Sequence, residues 1–148
     1  MGKECELPEI VPPESEVAEV VRSARTIAIV GMSPKPERPS HQVGIYLRDQ
    51  GYRIIPVNPG QEQIAGLPCY PDLLSIPSEE KIDVVIIFRR PDQVGPIVEE
   101  ALKRGVKAIW MQEGIVNNEA AQKARAAGAF VVMNRCFKKV HQGLKAGQ

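Results

Sequence analysis

The chain has 148 residues, enough for one domain with a substantial core, and 43% of them are hydrophobic against 25% charged, the balance of an ordinary soluble globular protein. A formal net charge of +1 excludes a broad nucleic-acid footprint, which needs clustered excess Lys and Arg, but leaves room for a small anionic ligand.

Residues 1–9 carry acids early and no long apolar stretch, so no signal peptide is expected there. No segment is long enough to span a bilayer, and a cytoplasmic protein is expected. Pro12 and Pro13 lead into Ser15, placed to be an N-cap. Val17, Val20, Val21 and Ala24 follow at i, i+3, i+4 and i+7, which predicts a helix over about 14–24. Five short apolar runs come next, at 26–30, 53–57, 82–88, 108–111 and 130–133. They are continuous and rich in β-branched residues rather than alternating, the pattern of strands buried on both faces of a parallel sheet.

Helical patterns separate the runs. One covers 40–50 and stops at Gly51, where glycine readily takes a left-handed C-terminal conformation. Val94, Ile97, Val98, Ala101 and Leu102 form the clearest stripe, closed by Gly105, with Pro96 tolerated in the first turn and Asp92 placed to cap it. Asn117 or Asn118 can cap an alanine-rich helix ending near Gly128, and Asn134 a last one with Phe137, Val140 and Leu144. Between the second and third runs, 59–80 holds several prolines and one small apolar cluster at Leu73 and Leu74, room for a short helix between loops. Strands alternating with helices give an α/β, doubly wound parallel sheet of five strands with helices on both faces, expected in the order 3-2-1-4-5. No domain linker stands out, so residues 1–148 are read as a single domain. In such sheets ligands bind beyond the carboxyl ends of the strands, where the order reverses.

The loop at that edge after the first run contains Gly31, Met32, Ser33, Lys35, Arg38, Pro39 and Ser40. Glycine permits a sharp turn, Ser33 a hydroxyl, Lys35 and Arg38 charge, and Ser40 lies where free helix N–H groups favour an anion. The plain alternative is a proline-stiffened surface loop with Ser40 as N-cap. The loop is not a dinucleotide fingerprint, because Ser33 and Pro36 occupy the positions of the second and third glycines, nor is it a Walker loop. Asn58 stands after the second run where an NAD site usually has Asp or Glu. After the third run, Arg89 and Arg90 can hold a phosphate and Phe88 can stack on a base; the alternative is arginines in solvent or paired to acids such as Glu99. After the fourth, Gln112, Glu113 and Gly114 either line the cleft with backbone or make a plain tight turn, while Trp110 reads as core.

Cys5, Cys69 and Cys136 form no CxxC and sit near no histidine pair at zinc spacing, which points to no metal site and a reducing interior. Cys136 is either a structural cysteine near a helix start or a reactive thiol favoured by that helix end and Arg135. No catalytic constellation accompanies it. His41 reads as a helix-surface residue or at most a ligand contact, and His141 lies five residues after Cys136, not a facing spacing.

In order, Ile29-Val30-Gly31-Met32-Ser33 with Arg38-Pro39-Ser40, then Gly51-Tyr52 leading to Pro56-Val57-Asn58-Pro59, then Gln112-Glu113-Gly114 resemble the stand-alone CoA-binding domain family. That family is similar to the N-terminal CoA-binding domain of the succinyl-CoA synthetase α subunit. The resemblance spans about 23–143 and implies a Rossmann-like fold with coenzyme A in a groove along the sheet edge. It implies CoA phosphates at Gly31, Met32, Ser33, Arg38, Pro39 and Ser40, and the adenosine end beside Asn58. Phe88 and Arg89 would lie beside the nucleotide, and Gln112, Glu113 and Gly114 near the pantetheine arm. The synthetase's phosphohistidine domain has no counterpart here, so the expectation is a CoA or acyl-CoA binding module, not catalytic on its own. The alternatives are an NAD(P)-dependent oxidoreductase on the same fold and a CoA-thiol enzyme using Cys136. An oligomer or a protein partner is left open.

Overall fold

A computed structural model describes residues 6–147, so Cys5 lies outside the described residues. Helix α1 (Glu14–Ser23) precedes strand β1 (Thr26–Val30), helix α2 (Pro39–Asp49) and strand β2 (Arg53–Val57). Two-residue strands β3 (Gln63–Ile64) and β4 (Leu67–Pro68) pair antiparallel as a small hairpin. Strand β5 (Val84–Ile87), helix α3 (Val94–Lys103), strand β6 (Ala108–Met111), helix α4 (Asn118–Ala126), strand β7 (Phe130–Val132) and helix α5 (Phe137–Ala146) complete the chain.

The five long strands form one parallel sheet in the order β2-β1-β5-β6-β7. This is the expected α/β, Rossmann-like, doubly wound class. Alternate strand residues face two cores. Ala28, Val85, Ile87 and Ile109 pack with α3 and α4, whereas Ile27, Ile29, Ile86 and Trp110 pack with α1, α2 and α5. All four residues of β5 and of β6 are buried, which is why those runs show no polar alternation.

The strand order corrects the expectation. Counting only the long strands, the sheet reads 2-1-3-4-5, not 3-2-1-4-5, because β5 inserts beside β1 instead of outside β2. Pro56 supplies the reason: a central β2 would need donors toward both neighbours, and proline has none to give. As an edge strand, β2 uses its outer side only for Tyr70, whose N–H donates to the Pro56 carbonyl at 3.1 Å and whose carbonyl accepts from Asn58 N–H at 2.9 Å.

Several local expectations also change. The region 59–80 contains no helix, only the hairpin and turns. Pro13, not Ser15, is the N-cap residue of α1 and makes no side-chain bond there. Asp92 lies in a short 3-10 turn, Pro91–Gln93, and does not cap α3. Asn117 does cap α4, accepting from Ala120 N–H at 2.9 Å. Asn118 instead fastens the N-terminal segment, accepting from Glu9 N–H and donating to the Leu7 carbonyl, each at 2.8 Å. Cys136, not Asn134, is the N-cap residue of α5. Asn134 takes a left-handed φ of 62° and accepts from Gly114 N–H at 2.7 Å.

Candidate functional site

The sheet order reverses between β1 and β5, so the crevice opens where the loops after those strands meet. Gly31 lies at that junction with φ +92°, and a Cβ there would collide with the Phe88 carbonyl oxygen. Its N–H donates to the Val57 carbonyl at 2.8 Å. The glycine therefore lets three strand ends converge, a demand of the protein itself before any ligand is considered.

The rest of the loop is tied by its own side chains. Ser33 N–H donates to Ser40 Oγ at 2.9 Å, and Lys35 N–H donates to Ser33 Oγ at 3.0 Å. Asn58 Nδ2 donates to the Met32 carbonyl at 2.8 Å, so the asparagine in the ribose position of an NAD site acts here as a loop brace. His41 corrects the expectation of a surface residue. It is buried, and Nδ1 lies 2.8 Å from the Ser33 carbonyl. A carbonyl only accepts, so the bond places a proton on Nδ1. Helix α2 starts at Pro39 with Arg38 as N-cap residue and no side-chain cap, so Ser40 sits inside the first turn with its hydroxyl serving the loop. Such a helix start carries partial positive charge.

The cations expected near this loop differ in their partners. Lys35 and Arg38 are exposed and, among the described residues, form no ion pair. Arg89 is half-buried and likewise unpaired among the described residues, with Nε 3.3 Å from where a Gly31 Cβ would stand. Arg90 turns to Asp92 at 3.6 Å, and Glu99 pairs with Lys123 at 2.7 Å rather than with either arginine. Arg135 is also engaged, 2.6 Å from Glu14.

Beyond α2 a cleft of about 540 Å³ is lined by Pro39, Val43, Phe88, Gln112, Cys136 and Lys139, among others. Gln112 is buried, with Oε1 accepting from Phe137 N–H at 3.0 Å. Glu113 is exposed and pairs with Lys139 at 3.0 Å, a contact that pushes the lysine above its ordinary basicity, first through the hydrogen bond and then through the carboxylate charge. Gly114, at φ +83°, shapes the turn held by Asn134. Thus Gly31, Met32, Ser33, Arg38, Pro39, Ser40, Asn58, Phe88 and Arg89 gather on one edge, and Phe88, Pro39, Gln112 and Glu113 share the cleft. Gly114 lies on the turn beyond it. Sequence reasoning gave no role to Lys138 or Lys139, which line this cleft; the Lys-Lys pair after Cys136 was the available signal. Among the described residues no group of three His, Cys, Asp or Glu could hold a metal ion, and no helix is long and apolar enough to cross a membrane.

Comparison with known proteins agrees with this fold. A hypothetical protein from Pyrococcus horikoshii OT3 superposes with a TM-score of 0.88 at 40% identity, over 95% of this chain and 97% of that one. The uncharacterized protein YneT of Bacillus subtilis is 38% identical over 130 residues, 88% of this chain and 95% of its own. An ADP-forming acetate–CoA ligase of Archaeoglobus fulgidus is 32% identical over 76% of this chain, which spans only 18% of that ligase. Residues 25–142 match the model of the CoA binding domain family, and the chain belongs to that family.

Proposed function

We infer that this CoA binding domain protein holds coenzyme A or an acyl-CoA, with the phosphates at the loop of residues 31–40 and the start of α2. The observation that carries the reading is the grouping of Lys35, Arg38 and Arg89, cations without an ion-pair partner among the described residues, around a loop already braced by Ser33, Ser40, His41 and Asn58. A preorganised loop spends little of its binding energy on ordering, and guanidinium forks suit phosphate oxygens. Met32, Pro39 and Gly31 would shape the backbone approach. Asn58 would border the adenosine end, Phe88 and Arg89 the nucleotide, and Gln112, Glu113 and Gly114 the pantetheine arm.

Calorimetric titration of the purified protein with CoA tests this. Saturable heat is expected, weakened about tenfold or more, roughly 1.4 kcal/mol, by Arg38→Ala. Ser33→Ala should weaken it as well, because the Lys35 N–H loses its acceptor and the loop its order. NADH should not compete. No heat with CoA at micromolar protein, or displacement of CoA by NADH, would overturn the reading.

A further inference from the structure

We propose that Cys136 undergoes thiol–disulfide exchange with a disulfide of CoA held in this site, so that the protein carries CoA covalently and reversibly. The proposal rests on the binding reading above and assigns the far end of the ligand. The cleft is lined by Pro39, Gln42 and Val43, at the start of α2 directly after the loop of residues 31–38, together with Gln112, Cys136 and Lys139. A ligand with phosphates at the loop and a flexible arm laid into this cleft would therefore carry its sulfur into the space that Cys136 lines.

Gln112 is a second, independent pointer to a ligand. Only 4% of it is exposed, and Oε1 is fixed by Phe137 N–H, which sets the orientation of the amide. Its Nε2 donates to no atom of the described residues, yet no buried side-chain nitrogen or oxygen among them lacks a partner. The Nε2 group therefore opens onto the cleft that Gln112 lines, a donor awaiting an acceptor such as an amide carbonyl of the arm. Phe88, Pro39 and Val43 give that arm apolar walls, and Lys138 and Lys139 line the same cleft.

The step balances without an outside oxidant. The Cys136 thiolate attacks one sulfur of the CoA disulfide and forms a new S–S bond. The original S–S bond breaks, and the second CoA leaves as a thiolate that takes up the proton Cys136 gave up. Both described cysteines are buried, but Cys136 lines the cleft, whereas Cys69 has its thiol turned to the Asn58 and Tyr70 carbonyls, with burial pushing the thiol above its ordinary range. It serves as an internal comparison.

The test exposes the reduced, full-length protein to CoA disulfide or to glutathione disulfide at equal concentration, followed by intact mass and peptide mapping. One CoA moiety is expected on Cys136, added about tenfold or more faster than glutathione, because binding raises the local concentration of the reacting sulfur. It should be released by dithiothreitol and be missing in Cys136→Ser. An unmodified Cys136, or equal rates with the two disulfides, overturns the proposal. Calorimetry with CoA on the reduced, unaltered protein separates the two failures: retained binding without guided exchange sinks this proposal alone, and lost binding sinks the binding reading itself.

Discussion

Gly31 answers two constraints at once, a positive φ and the absence of space for a Cβ. Gly51 answers only the first: its φ is +104°, but nothing lies within 4 Å of a built Cβ. The pair therefore separates backbone strain from close approach. Gly51→Ala should cost about 1–2 kcal/mol, the price of the left-handed region alone. Gly31→Ala should cost clearly more, because the Phe88 carbonyl must also move and the crevice with it. Urea unfolding midpoints of the two variants at constant m measure the difference, and equal losses would refute the close-approach argument. At this scale the sequence displayed residue types but not partners. The place of Gly31, Ser33 and Arg38 on the loop after β1 was readable, because the apolar run before them and the helical pattern after them set its ends. The bracing roles of His41 and Asn58 were hidden, since each depends on a carbonyl reached only after the chain has folded.

Helices and strands were legible wherever periodicity was unambiguous; β1, β2 and β6 fall on the expected runs. The connection from β2 to β5 was not, because its order comes from a distant side chain. Arg104, just past the end of α3, donates Nη1 to the Leu73 and Ile76 carbonyls at 2.6 and 2.7 Å, and Nη2 to the Pro77 and Glu80 carbonyls at 3.1 and 3.2 Å. Glu100 adds an acceptor for Leu73 N–H at 3.0 Å. One planar fork thus replaces the backbone ladder a helix would have supplied. Lysine has a point charge and no fork, so Arg104→Lys should lose about 2 kcal/mol or more and leave carbonyls unserved. Hydrogen exchange should quicken across 72–80 while β1 keeps its protection. Unchanged exchange in that segment would show that the turns hold themselves.

On the scale of the whole molecule, continuous apolar runs announced a sheet covered on both sides, and two cores lie on its two faces as they imply. Strand order was the part that run spacing could not set, although Pro56 already marked β2 as an edge. The face carrying α1, α2 and α5 is closed by aromatic contacts between segments far apart in the chain. His141 Nδ1 lies 2.8 Å from the Tyr46 hydroxyl, and its ring meets those of Tyr46 and Tyr52 edge-on. Arg22, Arg25 and Lys145 line the same hollow as His141, with no acid among its lining residues. Burial first, and the Lys145 charge second, hold the His141 pKa below its ordinary 6.5. Protonation is then easier in the unfolded chain than in the folded one, so the unfolded state binds more protons as pH falls through 6.5. This contribution to stability is complete above 6.5 and declines below it, toward the lowered folded value. Glu80 and Glu99, held below their ordinary 4.5 chiefly by hydrogen bonds from Arg53 and Lys123, lose their contribution only in more acid solution, so the two windows separate. His141→Gln keeps an acceptor for the Tyr46 hydroxyl and removes the titration. Urea midpoints of the unaltered protein should fall from about pH 7 to about pH 5, and those of His141→Gln should fall less. Parallel curves for the two proteins would place the acid sensitivity elsewhere than at the contact joining α2 to α5.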